Sequence, residues 1–249
     1  MKNIGFIPAR GGSKGVPGKN IRLVNGRPLI GYTIAAALQS QLDKVVVSSD
    51  SKEILEISEK FVKSNYLELS NKLILHNRPE EFSGDLSPIN QAIDHYLNSY
   101  WEKYENIVLL QPTSPVRKYE HINDCLKIVS EDQEIESIVS VSHPFEHPAE
   151  MIVRHGNRNS LLLPDFAGKQ RQEYGKVYFI NGSIYLVKME KYQKIRKFYY
   201  EDTYLYEMDN LYSLDVDTFS DLIMAESVIK FLDELHKKTI SLDDYYQAD

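Results

Sequence analysis

Ile7-Pro8-Ala9-Arg10-Gly11-Gly12-Ser13-Lys14-Gly15-Val16-Pro17-Gly18-Lys19-Asn20 follows a short apolar run, Ile4 to Ile7, that reads as a buried first strand. From Arg10 to Asn20 the stretch holds four glycines and three cations. Glycines let backbone N–H groups approach an anion closely. An arginine offers a planar fork and lysines offer point charges, so this composition suits a triphosphate. A P-loop is excluded, because Ser13 and Asn20 stand where it needs a glycine and a Ser or Thr around Gly18-Lys19; a G-x-G-x-x-G dinucleotide loop is absent. The same spacing also fits a basic surface loop whose glycines only turn the chain.

Outward from this loop the apolar pattern repeats strand, helix, strand, helix. Leu29, Ile30, Ile34, Ala35 and Leu38 form a helical face opened by Pro28 at its first position. Residues 43–50 read as a buried strand and 51–63 as a helix. Further on, 88–101 reads as a helix, 107–110 as a strand, 119–130 as a helix and 137–141 as a strand. Asn181 to Val187 is a strand, and Phe219 to Lys238 a long amphipathic helix. This order predicts an α/β fold, a doubly wound, mostly parallel sheet in one domain over 1–249. Between 142 and 180 the periodicity fails, and prolines at 144, 148 and 164 with Leu161 to Leu163 suggest an excursion from the sheet.

The chain has 249 residues and a formal net charge of −7, which argues against nucleic acid as a partner and makes the cations around Arg10 a local site. One cysteine, Cys125, sits in a helical pattern and forms no internal disulfide, so a buried apolar role and a reducing, cytoplasmic setting are expected. No run reaches the length of a membrane span. His143 and His147 are four apart, but Pro144 between them forbids the helix that would make them a metal pair.

A second anchor is Leu214-Asp215-Val216-Asp217-Thr218. Residues two apart in an extended segment face the same way, with α-carbons about 6.5–7 Å apart, so both carboxylates can share one divalent ion or two neighbouring ones. Hard oxygens suit Mg²⁺, which takes one or two carboxylates with phosphate oxygens and water. The alternative is that Asp217 only caps the last helix.

IPARGGSKGVPGKN resembles the N-terminal signature of the sugar-acid cytidylyltransferases. Further similarity follows in order at RPEEFSGD (78–85), LLQPTSPVR (109–117), INGSIYLV (180–187) and LDVDTFSDLIMAE (214–226). The resemblance implies a Rossmann-like nucleotidyltransferase that joins CTP to a nine-carbon 2-keto sugar acid and releases pyrophosphate, with one or two Mg²⁺ ions on Asp215 and Asp217. It implies nucleotide contacts from Arg10, Ser13, Lys14, Lys19, Asn20, Arg78 and Ser87, with Arg78 and Ser87 at the cytosine. Arg10 and Lys19 then act with the two aspartates in the chemistry. Gln111, which with Thr113 ends a central strand, stands at the site edge.

Arg171 lies ten residues before Asn181, the offset at which such enzymes place an arginine for the sugar carboxylate. Tyr185, Phe198 and Tyr199 fall at the sugar. The family also implies that 142–180 is a dimerisation arm, hence a homodimer. Two departures stand out: Tyr199 replaces a phenylalanine, and Glu150 replaces a lysine of some sialic acid members. They point to a relative such as legionaminic acid as readily as to sialic acid. Competing readings are a CMP-Kdo synthetase or another sugar nucleotidyltransferase, and a catalytically silent nucleotide sensor. A sensor has no need of Asp215, Asp217 and Arg171, and the missing G-x-G-x-x-G disfavours an NAD-dependent oxidoreductase.

Overall fold

The apolar run before the glycine-rich loop forms β1 (Asn3–Pro8), with Ile4, Gly5, Phe6 and Ile7 buried. In the computed structural model, which describes residues 2–13, 15–84, 87–100 and 102–238, β1 lies near the middle of a seven-stranded sheet. Lys14, Asp85 and Trp101 lie outside the described residues. A small hairpin follows, β2 (Leu23–Val24) and β3 (Arg27–Pro28), turned by Asn25 and Gly26 at φ 46° and 78°. Such an Asn-Gly pair is the favoured two-residue hairpin turn. Pro28 therefore ends β3 and precedes α1 (Leu29–Gln39), rather than occupying its first helical position as the sequence suggested.

The winding continues through β4 (Lys44–Ser49), α2 (Lys52–Asn65), β5 (Leu73–Asn77), α3 (Ile89–Ser99), β6 (Asn106–Leu109), α4 (Tyr119–Glu131) and β7 (Ser137–Ser142). Between β7 and the next sheet strand the chain leaves the sheet and makes a hairpin, β8 (Ile152–His155) and β9 (Arg158–Leu161). It returns as β10 (Phe179–Lys188), then α5 (Met189–Ile195), β11 (Tyr204–Glu207) and α6 (Phe219–Lys237).

The sheet order is β11-β7-β10-β6-β1-β4-β5. Every pair is parallel except those made by β10, which runs antiparallel to both β6 and β7. The sheet is thus doubly wound and mostly parallel, with one reversed strand. That reversal brings the beginning of β10, not its end, to the edge where β1, β4, β5 and β6 finish. Asn181 to Ser183 lie there, in a register shift where Gly182 has φ 74°.

Alternation along β1 sends its side chains to two cores. Ile7 joins residues of α1, α2 and α4, including the buried Cys125. Ile4 and Phe6 join Ala92, Ile93 and Tyr96 of α3 and Met189 and Tyr192 of α5. A third cluster bears on the site: Val16 of the glycine-rich loop packs with Val24, Leu29, Val216 and the inner face of α6.

Candidate active site

The loop after β1 is held in shape by buried anchors rather than by regular structure. Val16 is fully buried, and Asn20, also buried, donates its side-chain amide to the Arg10 carbonyl at 2.9 Å. Gly18 takes φ 64°, a conformation glycine adopts at little cost, and the chain then closes a short turn from Lys19. A Cβ on Gly15 would stand 2.3 Å from the Asp217 carbonyl oxygen, so only glycine lets the loop lie against the acidic segment.

That segment is fixed from both sides. Val216 points into the third cluster, and its N–H donates to the Thr113 carbonyl at 2.8 Å. The flanking aspartates differ: Asp215 is half-buried and Asp217 is exposed. Burial pushes the Asp215 carboxyl above its usual range, and a hydrogen bond from Thr113 opposes this. Its Oδ1 is buried without a hydrogen-bond partner. Lys19 Nζ donates to Asp217 Oδ1 at 2.9 Å and to the Val216 carbonyl at 2.8 Å.

Asp217 does not cap α6. Thr218 is the N-cap, accepting the Asp221 N–H at 3.3 Å, while Asp221 accepts the Thr218 N–H at 2.7 Å and the Asp217 N–H at 2.9 Å. Burial works against the Asp221 carboxylate, yet these backbone donors hold it below the ordinary value. The capping box leaves both Asp215 and Asp217 side chains available to a ligand.

Arg78 closes another side. It follows β5 and is buried, its guanidinium 3.6 Å from Asp50, with Nε lacking a hydrogen-bond partner. Burial lowers its proton affinity, and the Asp50 carboxylate opposes that. Ser87 donates its hydroxyl to the Glu81 carbonyl at 3.3 Å.

Arg117, at the end of LLQPTSPVR, is a residue the sequence did not single out. It is buried beneath the floor, and donates to the Ser183 carbonyl at 2.6 Å and the Gln111 carbonyl at 3.4 Å. It thereby ties the end of β6 to the start of the reversed β10. Burial lowers the proton affinity of its guanidinium, to about 9. An arginine directly after Pro115-Val116 was the available signal, since Val116 is core.

These elements enclose a cleft of about 460 Å³ at the carboxyl ends of the parallel strands, where open α/β sheets bind ligands. Arg10, Ser13, Lys19 and Asn20 line it from the loop, Arg78 and Ser87 from the segment after β5, Gln111 and Thr113 from the floor after β6, and Asp215 and Asp217 from the segment before α6. Tyr185, Phe198 and Tyr199 are not among its lining residues. Phe198 is instead buried in the core against Tyr192 and Tyr185, and Tyr199 is exposed. Tyr185 is half-buried with its ring 6.0 Å from that of Tyr199, and burial pushes its hydroxyl up to about 12. The Arg171 backbone lies in a short turn, Arg171–Glu173, within the excursion.

His143 pairs with Glu207 at 2.9 Å and His147 stacks on Tyr174, and no group of three or more metal-ligating side chains occurs among the described residues. Two carboxylates with one unpartnered buried oxygen are nonetheless a donor set of the kind Mg²⁺ uses when phosphates supply further ligands. No helix among the described residues is long and apolar enough to cross a membrane.

A cationic, glycine-rich loop at the end of the first strand, packed against two carboxylates at a cleft beyond the carboxyl ends of the parallel strands, places the chain among the doubly wound α/β proteins. The chain belongs to the cytidylyltransferase family, whose sequence pattern matches residues 4–238. It is 35% identical over 228 residues to the N-acylneuraminate cytidylyltransferase of Streptococcus agalactiae, covering 90% of this chain and 52% of that protein. It thus spans about half the length of that relative. Identity is 31% over 242 residues to the CMP-N,N'-diacetyllegionaminic acid synthase of Legionella pneumophila, covering 94% of this chain and 99% of the relative. In fold it is similar to a CMP:2-keto-3-deoxy-manno-octonic acid synthetase complexed with CTP, with a TM-score of 0.65 at 17% identity over 92% of this chain and 99% of that one.

Proposed function

We propose that the chain transfers a cytidylyl group from CTP to the anomeric hydroxyl of a nine-carbon 2-keto sugar acid, releasing pyrophosphate. The observation that carries this reading is the meeting of Arg10, Lys19 and Arg78 with Asp215 and Asp217 in one cleft. Family membership and the two curated relatives support it.

In this reading Arg10, Lys14, Lys19, Asn20 and the amides around Ser13 bind the triphosphate, and Arg78 with Ser87 holds the cytosine. The sugar's anomeric oxygen attacks the α-phosphorus, the bond from that phosphorus to its bridging oxygen breaks, and pyrophosphate leaves with the electron pair. The hydroxyl proton passes to solvent. Lys19 and Arg10 meet the charge that grows on the leaving group, a contribution that preorganised cations make without reorganising. Asp215 and Asp217 hold one or two Mg²⁺ ions; the unpartnered Asp215 Oδ1 fits that role, since a cation satisfies an oxygen whose burial otherwise disfavours its charge. Bound there, Mg²⁺ supplies charge neutralisation at the phosphate oxygens.

Gln111 stands at the floor between nucleotide and sugar, and Arg171 takes the sugar carboxylate with a two-pronged contact. Tyr185 and Tyr199 form the sugar side, with the buried Phe198 packed behind Tyr185. Tyr199 and Glu150 depart from the pattern of sialic acid members, so a diacetamido acid such as legionaminic acid suits the site as readily as sialic acid. The excursion from 142 to 180 is the interface of a homodimer.

The test is pyrophosphate release with each of four nucleoside triphosphates and a panel of nonulosonic acids. Equal turnover with ATP or GTP would reject the cytidine reading. A preference of about a hundredfold for sialic acid in kcat/KM would reject the argument from Tyr199 and Glu150. Arg171→Lys is expected to weaken sugar binding while leaving CTP binding nearly unchanged.

A further inference from the structure

We propose that Asp50 is a positioning residue that fixes Arg78 and the glycine-rich loop relative to one another, so that one carboxylate sets both halves of the nucleotide site. The inference rests on the cleft being a CTP site.

Strand register brings these groups together. β1 and β4 pair in parallel through Pro8 and Ser48, and β4 and β5 through Ser49 and Asn77. The Arg78 N–H continues the ladder by donating to the Ser49 carbonyl at 2.8 Å. Asp50 is the next residue of the middle strand, so it emerges between the loop on one side and Arg78 on the other. A single oxygen serves both: Asp50 Oδ1 accepts the Gly11 N–H at 2.9 Å and lies 3.6 Å from Arg78 Nη2.

Two further observations tie the geometry to this carboxylate. A Cβ on Gly11 would come within 3.1 Å of Ser51 Cβ, so the loop approaches the β4–α2 junction as closely as a glycine allows. Arg78 is buried, with the Asp50 carboxylate beside its guanidinium. Without that charge the burial cost of the arginine has no local offset, and turning outward becomes its cheaper conformation. Asp50 does not line the 460 Å³ cleft; it lies at an adjoining opening shared with Arg10, Ser13 and Gly84. It therefore acts through its partners.

A purely structural role is the competing account, since Asp50 immediately precedes Ser51, the N-cap of α2. That role would appear as lower stability with unchanged nucleotide affinity. Asp50→Asn keeps an oxygen for the Gly11 N–H and removes the charge beside Arg78, whereas Asp50→Ala removes both. The full-length variants are compared with wild type by calorimetric CTP binding in Mg²⁺, by pyrophosphate release with each substrate varied, and by thermal melting.

Asp50→Asn is expected to weaken CTP binding about tenfold and Asp50→Ala about a hundredfold, the scale of losing one and then two charge-assisted contacts. The loss should fall on the KM for CTP more than on kcat, and leave the KM for the sugar acid in place. In an Arg78→Ala background, Asp50→Asn should add little, because its effect runs through that arginine. Variants that bind CTP like wild type, whether or not their Tm falls, would overturn the inference. If Asp50→Ala does not fold, the near-isosteric Asp50→Asn decides alone. A wild type that binds no CTP would instead overturn the reading of the cleft, and the inference with it.

Discussion

Lys19 Nζ and the Asp217 carboxylate form an ion pair of 2.9 Å between residues 198 apart in the chain. An exposed pair of this kind contributes at most about 1 kcal/mol, and the Asp217 side chain is 73% exposed. The lysine is different: it is 13% exposed and held a second time by the Val216 carbonyl. The pair's consequence is therefore placement. A cation from the first loop and a carboxylate from the last segment are fixed at one point of the cleft before any ligand arrives.

Because Thr218 and Asp221 cap α6, removing the Asp217 carboxylate should leave the fold alone. Asp217→Ala is expected to lower turnover by roughly 10²-fold or more, the scale of losing a group that stabilises transition-state charge, with little change in Tm. Thr218→Ala should do the reverse, costing about 1 kcal/mol of stability with modest loss of activity. Steady-state assays at saturating Mg²⁺, paired with melting curves, separate the two. Near-normal turnover by Asp217→Ala would remove it from the chemistry.

Gly15 supplies a steric test of the same junction. A methyl group there would lie 2.3 Å from the Asp217 carbonyl oxygen, and neither backbone can retreat without moving Val16 or Val216 from the core cluster they share. Gly15→Ala should destabilise by about 1–3 kcal/mol, the usual cost of overpacking, and raise the KM for CTP. Wild-type values of both quantities would show that the loop can lift away freely.

Acid sensitivity should originate behind the site. His76 is buried, with Nδ1 2.9 Å from Ser48 Oγ and Nε2 2.9 Å from His95 Nδ1. Burial first, then His95 and Arg78, lower its pKa from 6.5 to about 4. The unfolded chain takes up this proton near pH 6.5 and the folded chain only near 4, so stability is intact above pH 6.5 and declines as pH falls through that window. The loss amounts to at most about 3 kcal/mol. His76→Gln should flatten the dependence of Tm on pH between 6.5 and 4, leaving the part due to His121, which burial also lowers to about 4. An unchanged slope would refute the assignment.

The sequence made the loop legible because its glycines and cations are contiguous, and the acidic pair legible because alternation around Val216 fixes which way both carboxylates turn. The reversal of β10 was not legible, since a strand's own pattern carries no direction. The β8–β9 hairpin was missed because its residues are mostly exposed and no buried alternation marks them. α5 is only seven residues long and ends where Arg196 takes φ 52°, a signal weak in sequence. Phe198, which the family resemblance sets at the sugar, is buried against Tyr192 of that helix, a packing the sequence does not display. The burial of Arg117 was not legible, since an isolated arginine is ordinarily a surface charge.

The excursion yields the last prediction. Phe145, Ile152, Leu162 and Phe179 are 86%, 66%, 46% and 59% exposed. Isolated exposed apolar residues are ordinary, but Phe145, Ile152 and Leu162 lie along the excursion and Phe179 begins β10 where it rejoins the sheet, an arrangement that suits an interaction surface. In the homodimer proposed above, a second copy covers them. Ile152→Asp or Leu162→Asp should then shift the mass in light scattering from dimer toward monomer. Tm at low protein concentration should change little, because neither side chain supports the core of its own chain. Activity is expected to fall together with the dimer. A wild-type chain that is monomeric and fully active would overturn the assignment.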